Sequence, residues 1–173
     1  CMQLFLKTPP VQEPLTLEEV KTYLRIGSDQ EDDFLKMLIR AARAHVESLT
    51  GRSLLKQQWV LHIKPPYPQG SPLVKRDGKR LEIELPRPPL LEVVEVKIDE
   101  KTLSYEVEEN QILLSSLFWD KEISVIYWAG YGETADVLPP DLKMAVLMAT
   151  RFFYDNQKVD LPLLGPYKVF HLG

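Results

Sequence analysis

The sequence predicts an α+β protein: a small helical bundle, built from two N-terminal helices plus one C-terminal helix, with an inserted antiparallel β-module of about six strands. Three observations carry this expectation. Apolar residues recur at spacings of three and four in two separated stretches, 16–52 and 139–157. Between them, over 53–138, the apolar period falls to two, the repeat of half-buried strands. The 14 prolines cluster at 9–14, 65–72, 86–89, 139–140 and 162–166, and each cluster reads as a boundary, because proline lacks an N–H and disfavours helix in the residue before it.

Residues 1–15 read as an N-terminal arm. Thr16 and Glu19 then have the spacing of a capping box, and the short helix they start is expected to stop at Gly27. Ser28 and Glu31 repeat the pattern ahead of a second helix. Its apolar face is Phe34, Leu35, Leu38, Ile39, Ala42, Val46 and Leu49, over five to six turns, with Gly51 as its stop. In the middle segment Trp59, Leu61 and Ile63 alternate with Gln58, Val60 and His62, and Leu81, Ile83 and Leu85 with Arg80, Glu82 and Glu84; Val94, Val96 and Ile98, then Ile123, Val125 and Tyr127, continue the two-residue period. Turns are expected at Asp77-Gly78, Asp99-Glu100-Lys101 and Glu109-Asn110. Helical period returns after Pro139-Pro140, where Leu142, Ala145, Val146, Ala149, Phe152 and Phe153 share a face, and fades near Asn156. The natural partner of that stripe is the stripe of the second helix. Residues 158–173 form an apolar, proline-broken tail whose large side chains must dock, either on their own domain or on a neighbour, since burying each is worth about 1.5–3 kcal/mol.

Composition narrows the function. At 173 residues, 45% apolar and 27% charged, the chain is an ordinary globular one and not a disordered one. No apolar run is long enough for a transmembrane helix and no basic-then-apolar start resembles a signal peptide, so the expected compartment is the cytoplasm, without membrane partners. Cys1 stands ahead of a plausible initiator, Met2, and is read as extraneous; without it the chain has no cysteine for disulfides or thiolate metal sites. The net charge of −4 is concentrated in the middle, where residues 61–140 carry nine basic and fourteen acidic side chains. Such a distribution gives no broad basic footprint for gripping nucleic acid.

Catalytic chemistry is sparse. Ala129-Gly130-Tyr131-Gly132 lacks the Lys-Ser or Lys-Thr of a phosphate loop and reads as a strand end. His45, His62 and His171 are scattered, with no second histidine one helical turn away. Asp29, Glu31, Asp32 and Asp33 lack the alternation and central glycine of a calcium loop and suit a helix N-terminus. Asp120 and Glu122, two apart on an expected strand, form the one candidate acid–base pair. No cofactor, metal or catalytic residue is assigned. Two features suggest contact with a partner: the basic hairpin tip of Lys75, Arg76, Lys79 and Arg80, and the tail anchors Leu161, Leu163, Leu164, Tyr167 and Phe170.

The order of segments resembles the head–tail connector (adaptor) proteins of tailed phages, prophages and gene transfer agents. The matching stretches are Leu15-Thr16-Leu17-Glu18-Glu19-Val20-Lys21, Asp32-Asp33, Ala41-Ala42-Arg43, Leu49-Thr50-Gly51-Arg52 before Gln58-Trp59, Leu85-Pro86-Arg87-Pro88-Pro89-Leu90, Ala129-Gly130-Tyr131-Gly132, Leu138-Pro139, Arg151-Phe152-Phe153-Tyr154-Asp155-Asn156 and Leu163-Leu164-Gly165-Pro166-Tyr167. Asp120 departs from a common proline, and Asp155-Asn156-Gln157 from a more usual Glu-Asn-Arg. The resemblance implies a non-enzymatic role. The subunit would join a ring, dodecameric when matched to the portal protein, extend the channel through which double-stranded DNA passes without specific binding, and dock the next neck or tail-completion protein. It would assemble in the host cytoplasm and reside at the head–tail junction of the particle. The alternatives by residue chemistry are a small-ligand or carbohydrate-binding β-module carried on helices and, behind it, a carboxylate-based hydrolase.

Overall fold

The computed structural model describes residues 1–67 and 74–169. The elements are β1 (Met2–Thr8), α1 (Leu17–Leu24), α2 (Asp32–Thr50), β2 (Gln57–Ile63), β3 (Val74–Asp77), β4 (Arg80–Glu84), β5 (Leu90–Ile98), β6 (Lys101–Thr102), β7 (Glu106–Glu108), β8 (Gln111–Ser115), β9 (Ile123–Ala129) and α3 (Pro140–Tyr154), with short 3-10 turns at Ser116–Phe118, Ala135–Val137 and Pro162–Tyr167. They fall into two compact units. A helical unit comprises Pro10–Leu55 and Tyr131–Val169, and a β unit contains Cys1–Pro9 and Lys56–Gly130. The α+β class is as expected, and the observed division adds residues 1–9 to the β unit and residues 158–169 of the tail to the helical one.

In the helical unit, Thr16 and Glu19 do form a reciprocal capping box at the start of α1. The helix ends at Arg25 in the left-handed conformation (φ 59°), two residues before the expected Gly27. The second expected box is absent: α2 starts at Asp32 with no side-chain cap from Glu31. Tertiary contacts take these acids instead. Lys21 Nζ of α1 donates to Asp29 at 2.7 Å and to Asp32 at 2.8 Å, and Tyr154 Oη of α3 donates to Glu31 at 2.8 Å. Gly51 stops α2 as expected, at φ 72° with its N–H on the Glu47 carbonyl. Leu35, Leu38, Ile39, Ala42 and Val46 share one core with Leu142, Ala145, Val146 and Ala149, as the two stripes required. Phe34 and Leu49, placed on that face by spacing, are exposed: the buried arc runs through Leu35 and Leu38 to Val46, Glu47 and Thr50, and each of the two lies one residue, about 100° of helix, off it.

Among the described residues nine strands, against the expected six or so, make two antiparallel sheets in the β unit, ordered β1-β2-β9-β5-β6 and β3-β4-β8-β7. The sheets face one another: Leu61, Ile63, Val96, Ile98, Ile123, Val125 and Tyr127 of the first share a core with Val74, Leu81, Ile83, Ile112 and Leu114 of the second. Tyr127 is fully buried and satisfies its hydroxyl on the Pro86 carbonyl at 2.6 Å. The expected arm is strand β1, which pairs Met2 with Ile63 through Leu6 with Trp59. Val94 breaks the expected alternation. The β5–β9 register shifts between Val93 and Glu95, so Val94 occupies a bulge and is 47% exposed while Val96 and Ile98 point inward.

Lys21 and Lys143 give the helical unit an acid-sensitive seam. The Lys21 hydrogen bond holds the Asp29 carboxyl below its ordinary value, and the Lys143 hydrogen bond, followed by that from the Thr16 N–H, does the same for Glu19. A carboxyl depressed in the folded state contributes stability above its unfolded pKa and loses it as pH falls through the folded one. The melting temperature is therefore expected to fall as pH drops from about 5 towards 3, and the Lys21→Met/Lys143→Met double variant to show a shallower fall. Thermal melts across that range check this.

Candidate interaction surfaces

The tail is the first surface that the sequence singles out. Leu161 is 7% and Leu164 1% exposed, both within the core of the helical unit, and half-buried Leu163 and Tyr167 pack against it. Arg52, just past α2, fixes the tail. Its Nε donates to the Tyr167 carbonyl at 2.7 Å, its Nη1 to Tyr131 Oη at 3.3 Å, and its guanidinium carbon lies 6.0 Å from the Tyr167 ring centroid. Val169 N–H adds a bond to the Thr50 carbonyl at 2.7 Å. Burial raises the Tyr131 hydroxyl above its ordinary pKa, against the opposing pull of Arg52. Leu161 and Leu164 are therefore core residues, which corrects their expected role as partner anchors. Phe170 lies outside the described residues.

The second surface is the β3–β4 hairpin. Asp77 and Gly78 make its turn as expected, with Gly78 at φ 59°, and Lys75, Arg76, Lys79 and Arg80 are all exposed. Arg76 lies over the Trp119 ring at 5.7 Å, and Arg80 pairs with Glu106 at 3.4 Å. An open depression of about 530 Å³ beside the hairpin is lined by Lys79, Arg80, Tyr105 and Glu106 among others. Sequence spacing identified this patch but not its acidic neighbour, because β7 becomes adjacent only through the strand order.

Exposed apolar groups form the surfaces that the sequence did not isolate. Phe34 and Met37 stand one turn apart on α2 at 44% and 55% exposure. On the β unit, Phe5 lies on the outward face of its sheet, edge-on to His62 at 5.8 Å, and Trp128 is covered by the Lys56 ammonium at 4.8 Å. The Trp128 ring is thus occupied by Lys56, while Phe5 stays 50% exposed.

Of the residues weighed for chemistry, His62 and Glu122 border one depression, and Asp120 does not line it. Asp120 adopts φ 67° and Glu122 precedes β9, so both lie in a turn and not on one strand face. Glu122 sits with His62, Glu95 and Lys97 around a depression of about 240 Å³, and its carboxylate is 3.9 Å from Lys64. His45 is half-buried edge-on to Phe153 at 5.6 Å. Gly130 ends β9 at φ 125°, and a Cβ on Gly132 would meet Val137 Cγ2 at 2.5 Å, so these glycines serve a turn and a close approach. Among the described residues, no three acidic, histidine or cysteine side chains are grouped to hold a metal, and no helix is long and apolar enough to cross a membrane.

The tail's packing sets an expectation for stability. Leu164→Ala is expected to cost about 2–5 kcal/mol, with a smaller loss for half-buried Leu163→Ala. Chain removal after Gln157 is expected to destabilise the helical unit further, since it deletes Leu161 as well. Chemical denaturation measures all three.

No curated protein matches the chain. Solved structures similar to it include the neck of a native gene transfer agent particle computed with C12 symmetry (TM-score 0.73), the neck of an empty particle computed with C6 symmetry (0.71) and the virion of a native particle (0.69). Each is 18% identical, and each alignment covers 99% of this chain and 97% of the other. At that identity the likeness establishes the fold. The model of the head completion protein family matches residues 13–160, which take in both helical segments and the strands between them, and the chain belongs to that family.

Proposed function

We propose that the protein is a head–tail connector subunit. Copies close into a ring beneath the portal protein, extend the channel for double-stranded DNA and dock the next neck or tail-completion component. The observation that carries this reading is the family match over residues 13–160. The whole-chain likeness to neck structures, one of them computed with C12 symmetry, supports it and favours a dodecamer. The role is structural and non-enzymatic, performed at the head–tail junction of the particle after assembly in the host cytoplasm.

Physical features agree with this reading. A head-to-tail contact that closes into a ring buries two different faces of each subunit. The basic hairpin of Lys75, Arg76, Lys79 and Arg80 offers one face of distinct charge. Leu163 and Tyr167 keep part of their surface available beside the docked tail, for a portal or neck partner. The surplus of fourteen acidic over nine basic residues in 61–140 suits a channel wall that repels phosphate and lets DNA slide.

The test is electron microscopy of the protein mixed with its cognate portal. A coaxial ring stacked on the portal is expected. Portal rings that remain bare while the protein stays free would overturn the reading.

A further inference from the structure

The second sheet has two edges of opposite charge. Among the described residues its order β3-β4-β8-β7 leaves β3 and β7 at the margins. The β3 edge carries Lys75 and Arg76, with Lys79 in its turn and Arg80 opening β4 beside it; the β7 edge carries Glu106, Glu108 and the following Glu109. All seven side chains are exposed. An edge strand presents backbone N–H and C=O groups able to pair with another chain. Charge on an edge ordinarily blocks such pairing. Here it blocks β3 from β3 and β7 from β7, and favours β3 against β7.

Strand direction leads to the same partner. Every neighbouring pair in this sheet is antiparallel. With four strands, β3 and β7 therefore run in opposite directions. Copies arranged head to tail around a ring axis keep their orientation, so β7 of one copy meets β3 of the next as an antiparallel pair. A two-fold dimer would instead join identical edges, the arrangement that the charges oppose.

We infer that neighbouring copies of this chain join β7 to β3, so that the four-stranded sheet continues from subunit to subunit. The inference rests on the ring reading above and gives that ring its contact. Setting Lys75 opposite Glu106 places Val74 beside Val107 and Asp77 beside Ser104, with no like charges opposed. Val107 is 50% exposed and lies opposite core residue Ile112, so the next copy covers an apolar group left open at the edge. The existing Arg80–Glu106 pair, at 3.4 Å between side chains 55% and 73% exposed, exchanges readily for the intersubunit one. Backbone pairing and Val107 burial hold the contact, while the charges select partner and direction.

The test is cross-linking in a Cys1→Ser background. One variant carries Lys75→Cys with Glu106→Cys. A second carries Lys75→Cys with Glu108→Cys, to capture a register shifted by two. Opposed residues in an antiparallel pair are about 4.5–5.5 Å apart at Cα, within disulfide reach. After assembly on the portal and mild oxidation, at least one variant is expected to give a ladder of covalent multimers on a non-reducing gel, with the single-cysteine controls giving none. Rings by electron microscopy with no ladder from either variant overturn the edge contact and leave the ring reading standing. Neither rings nor ladder overturns both. Independently, Lys75→Glu/Arg76→Glu is expected to cut ring yield at least about tenfold, and adding Glu106→Lys/Glu108→Lys to restore it. Failure of the restored variant to form rings, while its melting curve remains that of a folded protein, counts against the contact.

Discussion

The seam between α2 and α3 is the contact on which the helical unit depends. Its two sides come from opposite ends of the chain, so closing it fixes a long intervening loop, an entropic cost that buried apolar area must offset. Ala42, Ala145 and Ala149, all fully buried, keep the facing surfaces small enough for the helices to approach closely. With α2 in place, a polar network fixes what adjoins it. Arg43 grips Glu13 through two bonds of 3.0 Å and Glu47 through a third. Glu47 in turn accepts the Leu54 N–H at 2.9 Å, and the Leu54 carbonyl accepts the Tyr131 N–H at 2.9 Å. The segment before α1, the exit from α2 and the return towards α3 are thus all held to one helix.

The β unit solves a different problem. Facing sheets bury the centres of their inner surfaces, as Leu61, Ile83, Ile112 and Tyr127 show, but leave margins that a closed barrel would not have. Those margins distinguish the two kinds of surface on the protein. The core residues are apolar and commit the chain to one shape. The edge residues of the second sheet are mostly charged and determine which surfaces tolerate one another.

Much of this architecture is legible in the residue pattern. The helices, the Thr16–Glu19 cap and the Gly51 stop follow from local periodicity and local hydrogen bonding. What was not legible depends on tertiary structure. Tyr154 takes the Glu31 carboxylate that spacing assigned to a second cap, and Lys21 takes the neighbouring Asp29 and Asp32. Strand β1 lies over fifty positions from its partner β2, so no turn announces the pairing. The bulge at Val94 resets the phase of β5 without a glycine to mark it. The tail composition requires docking but does not say where; tertiary contacts locate it, with Leu161 and Leu164 in the core and Arg52 and Thr50 on its backbone. The opposed edges were invisible for the same reason: Glu106 and Lys75 acquire their relation from strand order, which alternation does not encode.

Both units are discontinuous in the chain, and this has a consequence during synthesis. Strand β1 leaves the ribosome before its partner β2 and waits for it until α1 and α2 have followed. The apolar stripe of α2 waits longer still, until all of β2–β9 have been made and α3 follows. A nascent chain therefore carries an uncovered sticky helix while those strands are synthesised, an invitation to chaperones and to aggregation alike. Only the arrival of α3 hides it, so premature association of incomplete copies is a hazard that timing, more than sequence, must control.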